Sequence, residues 1–146
     1  MKVIATYNLK GGVGKTASAV NLAYIAAGSG LRVLLWDLDA QGAASFYLRV
    51  RPGVEGGAQA LLEDKRGLGR AIRATDCPNL DLIPADFSYR NLDIELRDYK
   101  KSTLRLKRML RELADDYDLV FVDSAPSMST VSENILNMAD VLLVPL

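Results

Sequence analysis

Two lysines bracket a run of glycines near the start of this chain, Lys10-Gly-Gly-Val-Gly-Lys-Thr16. Gly11, Gly12 and Gly14 let successive backbone N–H groups turn inward around Val13. A helix pattern beginning at Ala17 would add its positive N-terminal end to the same concavity. Such a concavity suits a phosphate. Lys15 is placed to reach the outer phosphates of a nucleotide, and the Thr16 hydroxyl to ligate Mg²⁺. In the general pattern G-x-x-x-x-G-K-[ST] the first glycine would fall at position 9, where Leu9 stands, and a second lysine, Lys10, follows it. Two ammonium groups at one small loop repel each other unless a polyanion lies between them.

A phosphate cradle needs a metal holder and a residue to position the attacking water. Asp123 closes the apolar run Asp118-Leu-Val-Phe-Val-Asp123. A charge there is costly unless a cation balances it, so Asp123 is the expected Mg²⁺ ligand beside Thr16. The loop Ser124-Ala-Pro126-Ser beyond it is a candidate sensor of the γ-phosphate. Asp37 and Asp39 end another apolar run, and strand alternation would point both carboxylates the same way. The turn Gln41-Gly42 could then bring Asp39 toward the γ-phosphate, to orient water and to share in the metal's surroundings. The competing reading is that these acids cap the segment Ala40 to Leu48, which suits one of them but hardly both.

Positioning these groups takes a particular architecture. Short apolar runs recur at Val3–Tyr7, Arg32–Leu38, Leu80–Pro84, Leu119–Asp123 and Val141–Leu146, separated by stretches long enough for crossovers. Continuous runs such as Val33-Leu-Leu-Trp36 are what strands covered on both faces require. The expectation is a doubly wound α/β fold with a mainly parallel sheet, residues 1–146 forming one P-loop domain. Ala17, Ala19, Val20, Ala23, Ala26 and Ala27 make a small-residue helix face that ends at Gly28-Ser-Gly30. Arg49 to Gly69 reads as a loose connector with a short helix at Ala58–Leu62, and Asn91 to Asp115 as one amphipathic helical segment. The basic residues of that segment, Arg97 through Arg111, are diluted by Glu95, Asp98 and Glu112 and read first as a solvated face.

Composition narrows the classes. Lys plus Arg and Asp plus Glu number 18 each in 146 residues, so no net field draws the chain to nucleic acid or an acidic membrane. Cys77 is the only cysteine and there is no histidine, which excludes a disulfide within the chain, thiolate zinc clusters and histidine catalysis. The cytoplasm is the expected compartment, and no run approaches the ~20 apolar residues of a membrane span.

The segments Asn8-Leu-Lys-Gly-Gly-Val-Gly-Lys-Thr16, Asp37-Leu-Asp-Ala-Gln-Gly42 and Tyr117-Asp-Leu-Val-Phe-Val-Asp-Ser124 together resemble the ParA/MinD/Soj family of deviant Walker ATPases. The likeness continues through Leu80-Asp-Leu-Ile-Pro-Ala85 and Ala139-Asp-Val-Leu-Leu-Val-Pro145, and D-x-D-x-Q-G looks like the ParA and Soj branch. The resemblance implies a Mg²⁺-dependent, partner-stimulated ATPase that partitions plasmids or chromosomes. It further implies an ATP-sandwiched homodimer in which Lys10 crosses to the partner's phosphates, and Gly12 stays small so that the two loops meet. Nonspecific DNA binding and a ParB-like activator belong to the same expectation. A non-hydrolysing nucleotide-binding module and a MinD-like positioning ATPase are the alternatives. Ala17 stands where the family usually has a second threonine, Ala40 where proline is common, Ala43 where asparagine is common, and Ser124-Ala125 where threonine or cysteine and proline are expected. The resemblance also implies a longer fold, of which this chain is the N-terminal portion.

Overall fold

A computed structural model describes residues 1–146. A six-stranded sheet holds the strands in the order β3-β4-β2-β5-β1-β6. They are β1 (Lys2–Thr6), β2 (Val33–Asp37), β3 (Arg73–Ala74), β4 (Leu80–Ile83), β5 (Leu119–Asp123) and β6 (Val141–Leu143). All pairings are parallel except the short edge β3, which runs antiparallel to β4. The apolar runs are therefore the strands: β5 matches its run, β1 is shifted by one residue toward the N-terminus, β4 lacks Pro84, β2 omits Arg32 and Leu38, and β6 stops at Leu143.

Register decides what the sheet offers. Thr6 lies beside Asp123, and Asp123 beside Asp37, so the C-terminal ends of β1, β5 and β2 form one polar row. Side chains alternate across a sheet. Ile4, Val33, Leu35, Leu119 and Phe121 share a face, packed with Ala19, Ala23 and Ala27 of α1 (Lys15–Gly28) and with Ala44 and Leu48 around α2 (Ala43–Tyr47). The polar row continues that face by the same alternation. Val3, Ala5, Leu34, Trp36, Val120 and Val122 point the other way into a larger cluster. That cluster is covered by α3 (Gly57–Glu63), α4 (Gly67–Ala71), α5 (Leu92–Arg97), α6 (Arg105–Arg111) and α7 (Thr130–Met138).

The helical segment from Asn91 to Asp115 is broken rather than continuous. α5 ends at Arg97, Lys101 takes a left-handed φ of 55°, and a 3-10 turn at Ser102–Leu104 leads into α6. A buried asparagine on the neighbouring helix makes the break tolerable. Asn134 accepts from Leu106 N (3.0 Å) and donates to Ser102 O (2.8 Å), satisfying backbone groups that a continuous helix would have paired internally, and it also donates to Thr130 O of its own helix (2.8 Å). Helical spacing identified the apolar face correctly, since Leu92, Leu96, Leu106 and Leu110 all reach one core, but it carries no mark of the interruption. α7 was unassigned from the sequence; its signal is Ser129 before Val131, Ile135 and Met138. Ser129 and Ser132 form a reciprocal capping box at its start.

Candidate phosphate-binding site

The glycine-rich loop joins β1 directly to α1, which begins at Lys15, two residues earlier than its alanine pattern. Gly12 and Gly14 have φ of 69° and 91°, a region that L side chains enter at a cost, and Gly14 is the N-cap of α1. A Cβ on Gly12 would meet nothing within 4 Å in this chain, so within one copy the requirement there is for backbone freedom, not space. Gly11, Val13 and Gly14 complete the loop, and Ala17 lies exposed on the first turn of the helix.

Lys15 is buried, and its ammonium donates to the Lys10 carbonyl at 3.0 Å. The two lysines thus meet through a backbone oxygen, while Lys10 itself is exposed at the loop's outer rim and its N–H donates to Asn8 Oδ1 at 2.9 Å. Thr16 donates to Asp123 Oδ2 at 2.6 Å, and Thr6 donates to Oδ1 at 3.3 Å. Asp123 is fully buried, and burial raises its carboxyl above the ordinary range. The Asp39 charge pushes it the same way, while the Thr16 and Thr6 hydrogen bonds and the Lys15 charge oppose. A carboxylate in this position gains from a cation. Thr16 and Asp123 present two hard oxygen donors, and no cage of three or more acidic, cysteine or histidine groups stands there. That is the limited protein contribution Mg²⁺ accepts when phosphates and water complete its shell, so the residues present fit the ion.

The two acids of β2 part company. β2 ends at Asp37, so alternation does not extend to Asp39, and the strand on which the expectation of two like-pointing carboxylates rested stops before the second of them. Asp37 is fully buried and its carboxylate is already engaged. Oδ2 accepts from Ser45 N (2.9 Å) and Ser45 Oγ (2.7 Å) in α2, and Oδ1 from Asp39 N (3.2 Å). Burial is the main reason its pKa rises to about 6; the Ser45 hydrogen bonds oppose, and the Asp123 charge adds to the rise. Asp37 therefore ties down the segment after the strand, the role that the competing reading allowed to one of the two acids. Asp39 sits in the following turn, where Oδ1 accepts from Gln41 N (3.0 Å) and its carbonyl from Gly42 N (2.9 Å). It lines a cavity of about 760 Å³ together with Gln41, Ser124, Ser127 and Tyr89. Ser124 donates from its hydroxyl to Thr6 O at 2.9 Å, fixing the start of the loop after β5. Sequence reasoning missed Thr6 and Ser45. Thr6 was legible as the polar end of β1, whereas Ser45 depends on a helix that the sequence left unassigned.

A family model described as an AAA domain matches residues 1–146. The chain is 39% identical over 145 residues to the sporulation initiation inhibitor protein Soj of Bacillus subtilis (strain 168), covering 99% of this chain and 57% of that protein. It is 37% identical over 145 residues to the chromosome-partitioning ATPase Soj of Treponema pallidum (strain Nichols), covering 99% and 56%. Among solved structures, cobyrinic acid a,c-diamide synthase from Mycobacterium smegmatis with bound ATP analog and magnesium superposes with a TM-score of 0.91 at 33% identity, over all of this chain and 60% of that one. The chain thus spans little more than half the length of the curated relatives it matches. The glycine loop, buried Lys15 and the Thr16–Asp123 pair all lie within the matched residues, and the chain belongs to this AAA-domain family.

Proposed function

We propose that this chain carries the nucleotide site of a Mg²⁺-dependent ATP hydrolase that works as a nucleotide-switched homodimer in chromosome or plasmid partitioning. The observation that carries the reading is the closed contact set at the head of α1: buried Lys15 held on the Lys10 carbonyl, and Thr16 held on Asp123. Lys15 exchanges the carbonyl for phosphate oxygens, and the free N–H groups of the loop and the first turn of α1 hold the same anion. Mg²⁺, when bound by Thr16 and Asp123, supplies charge neutralisation at the β- and γ-phosphates. Asp39, on the turn after β2, orients the attacking water and would lend its carboxylate to the surroundings of Mg²⁺ when the ion is bound. Lys10, exposed at the rim, reaches the phosphates of a second copy, and dimerisation thereby reports ATP. The chromosome-partitioning ATPase among the relatives supports the partitioning role; a cytoplasmic location, nonspecific DNA binding and slow hydrolysis accelerated by a ParB-like protein belong to the same reading. Ala17, Ala40 and Ala43, which depart from the family's usual residues, favour one other reading, a nucleotide-binding module that does not hydrolyse.

Calorimetric titration with MgATP tests the site. Wild type gives a measurable heat, and Lys15→Ala weakens binding by about 100-fold or more. Asp39→Ala binds normally but loses turnover by about 100-fold. Lys10→Ala and Gly12→Val bind ATP and stay monomeric on a sizing column. No heat with folded wild type overturns the reading, and binding without any turnover, with or without DNA, selects the non-hydrolysing module.

A further inference from the structure

Between the phosphate loop and the loop after β5 the backbone ladder stops early. β1 pairs with β5 as far as Thr6 beside Asp123, and beyond that point no backbone hydrogen bond joins the two segments. Tyr7 N turns instead to Leu143 O at 2.9 Å, and Leu38 N donates to Asp123 O from the other side. Side-chain contacts take over, and they converge on Thr6 and Tyr7, the stem of the glycine loop. Thr6 is fully buried, and its hydroxyl proton is shared between Asp123 Oδ1 and Val122 O, 3.3 Å from each. Ser124, also buried, donates to Thr6 O at 2.9 Å. The half-buried Tyr7 donates from its hydroxyl to Ser127 O at 3.1 Å. Ser132 Oγ, of the capping box of α7, donates to the same carbonyl at 2.8 Å. Both lone pairs of that oxygen are engaged, so the loop is pinned between the stem of the phosphate loop and the head of α7.

We propose that Thr6 and Tyr7 are positioning residues, a clasp that holds the Asp123 carboxylate and the loop Ser124–Ser127 in a fixed place relative to the phosphate loop. The Thr6 half rests on the reading of Asp123 as a Mg²⁺ ligand given above; the Tyr7 half does not. Each oxygen of Asp123 is held by a different threonine, Oδ2 by Thr16 at 2.6 Å and Oδ1 by Thr6. Thr16 is itself a cation ligand in that reading, whereas Thr6 acts on the cation only through the carboxylate it orients. Orientation matters because Mg²⁺ demands near-ideal octahedral placement of its oxygens. Tyr7 works on the other end of the same segment. A tyrosine hydroxyl at a half-buried position has water as an alternative partner, so burial alone does not demand its bond to Ser127 O. The consequence of the bond is a tethered loop. Ser124 and Ser127 line the cavity that Asp39 also lines, so the tether fixes one wall of it.

The test compares Thr6→Val, Thr6→Ser and Tyr7→Phe with wild type. Mn²⁺ binding in the presence of a non-hydrolysed ATP analogue, read by electron paramagnetic resonance, should weaken about tenfold or more in Thr6→Val. Thr6→Ser, which keeps the hydroxyl, should recover it to within about twofold, and affinity for ATP in EDTA should stay within about twofold in both variants. If Thr6→Val does not fold, Thr6→Ala, which adds no bulk, carries the same expectation. Tyr7→Phe should bind Mn²⁺ as wild type does. Its amide exchange at Ser124, Ala125 and Ser127 should quicken by about threefold to tenfold in nucleotide-free protein, with exchange in the central strands unchanged. Mn²⁺ affinity unchanged in Thr6→Val, or lost equally with metal-free ATP affinity, overturns the Thr6 half, the second because it marks general damage to the site. Unchanged exchange in Tyr7→Phe, or faster exchange throughout the sheet, overturns the Tyr7 half. Wild type that binds no Mn²⁺ with the analogue overturns the cation reading and the Thr6 half with it, and the exchange result still decides Tyr7.

Discussion

The two faces of the sheet are built from the same five-residue strands, yet one ends in chemistry and the other in hydrocarbon. On the α1 face the strands finish in Thr6, Asp37 and Asp123, side by side and fully buried. On the opposite face Ala5, Trp36 and Val122 occupy the neighbouring positions, under helices that supply Leu92, Leu96, Leu106 and Leu110. The coverings differ accordingly. α1 meets the sheet with alanines, which brings its backbone, and hence the N–H groups at its head, close to the polar row. The opposite face is filled by bulky side chains, where area rather than proximity matters. One face therefore gives up apolar burial to place a site, and the other compensates.

This division predicts that large-to-small changes in the bulky face cost stability without touching the site. Leu96→Ala, at a fully buried position, should destabilise by about 2–5 kcal/mol in urea unfolding, while MgATP affinity, measured where the variant is still folded, stays within about twofold of wild type. A parallel loss of affinity would show that the two faces are not separable.

The polar face should show its cost through pH. Asp37 has a folded pKa of about 6 against an ordinary value of 3.8, a carboxyl raised by burial. The folded state then binds a proton more readily than the unfolded one between these values, so in nucleotide-free protein stability rises as pH falls from about 6 toward 4. The shift corresponds to about 3 kcal/mol at the limit. Asp123, raised in the same direction, adds to the trend. Asp37→Asn should flatten the profile across that window, and an unchanged slope would assign the pH dependence elsewhere. The amide keeps only one acceptor oxygen, so either the Ser45 donors or Asp39 N lose their partner, and melting temperature should be followed across pH rather than at one value.

Much of this contrast was legible in the sequence, for reasons that can be named. Lys10 to Thr16 and Asp123 announce themselves because backbone N–H groups can cradle an anion only with glycine at special φ, and because a charge closing an apolar strand needs a reason. The five long strands followed from apolar runs flanked by crossovers, and the α1 face from its alanines. Three features were not visible. The break at Lys101 depends on Asn134, thirty-three positions away, supplying hydrogen bonds that no local pattern encodes. The fate of Asp37 depends on Ser45 in a five-residue helix too short to leave a period. The antiparallel β3 is two exposed residues, Arg73 and Ala74, whose pairing comes from the sheet edge and not from their own propensity.

The comparison is sharpened most by a change that adds bulk to the small face. Ala23 lies fully buried in the middle of α1, against strands whose ends carry the polar row. Ala23→Leu leaves helix propensity nearly unchanged, so its effect is steric: the helix must move away from the sheet or the side chain must leave its rotamer, at about 1–3 kcal/mol. A displaced α1 carries Lys15 and Thr16 with it, and Thr16 is held to Asp123 by a single 2.6 Å hydrogen bond. The expected outcome is a modest stability loss together with a MgATP affinity reduced by more than the loss itself would explain, the reverse of Leu96→Ala. Reading both variants by calorimetry and urea unfolding gives four numbers, and only a site held by close helix–sheet approach pairs the smaller stability loss with the larger binding loss.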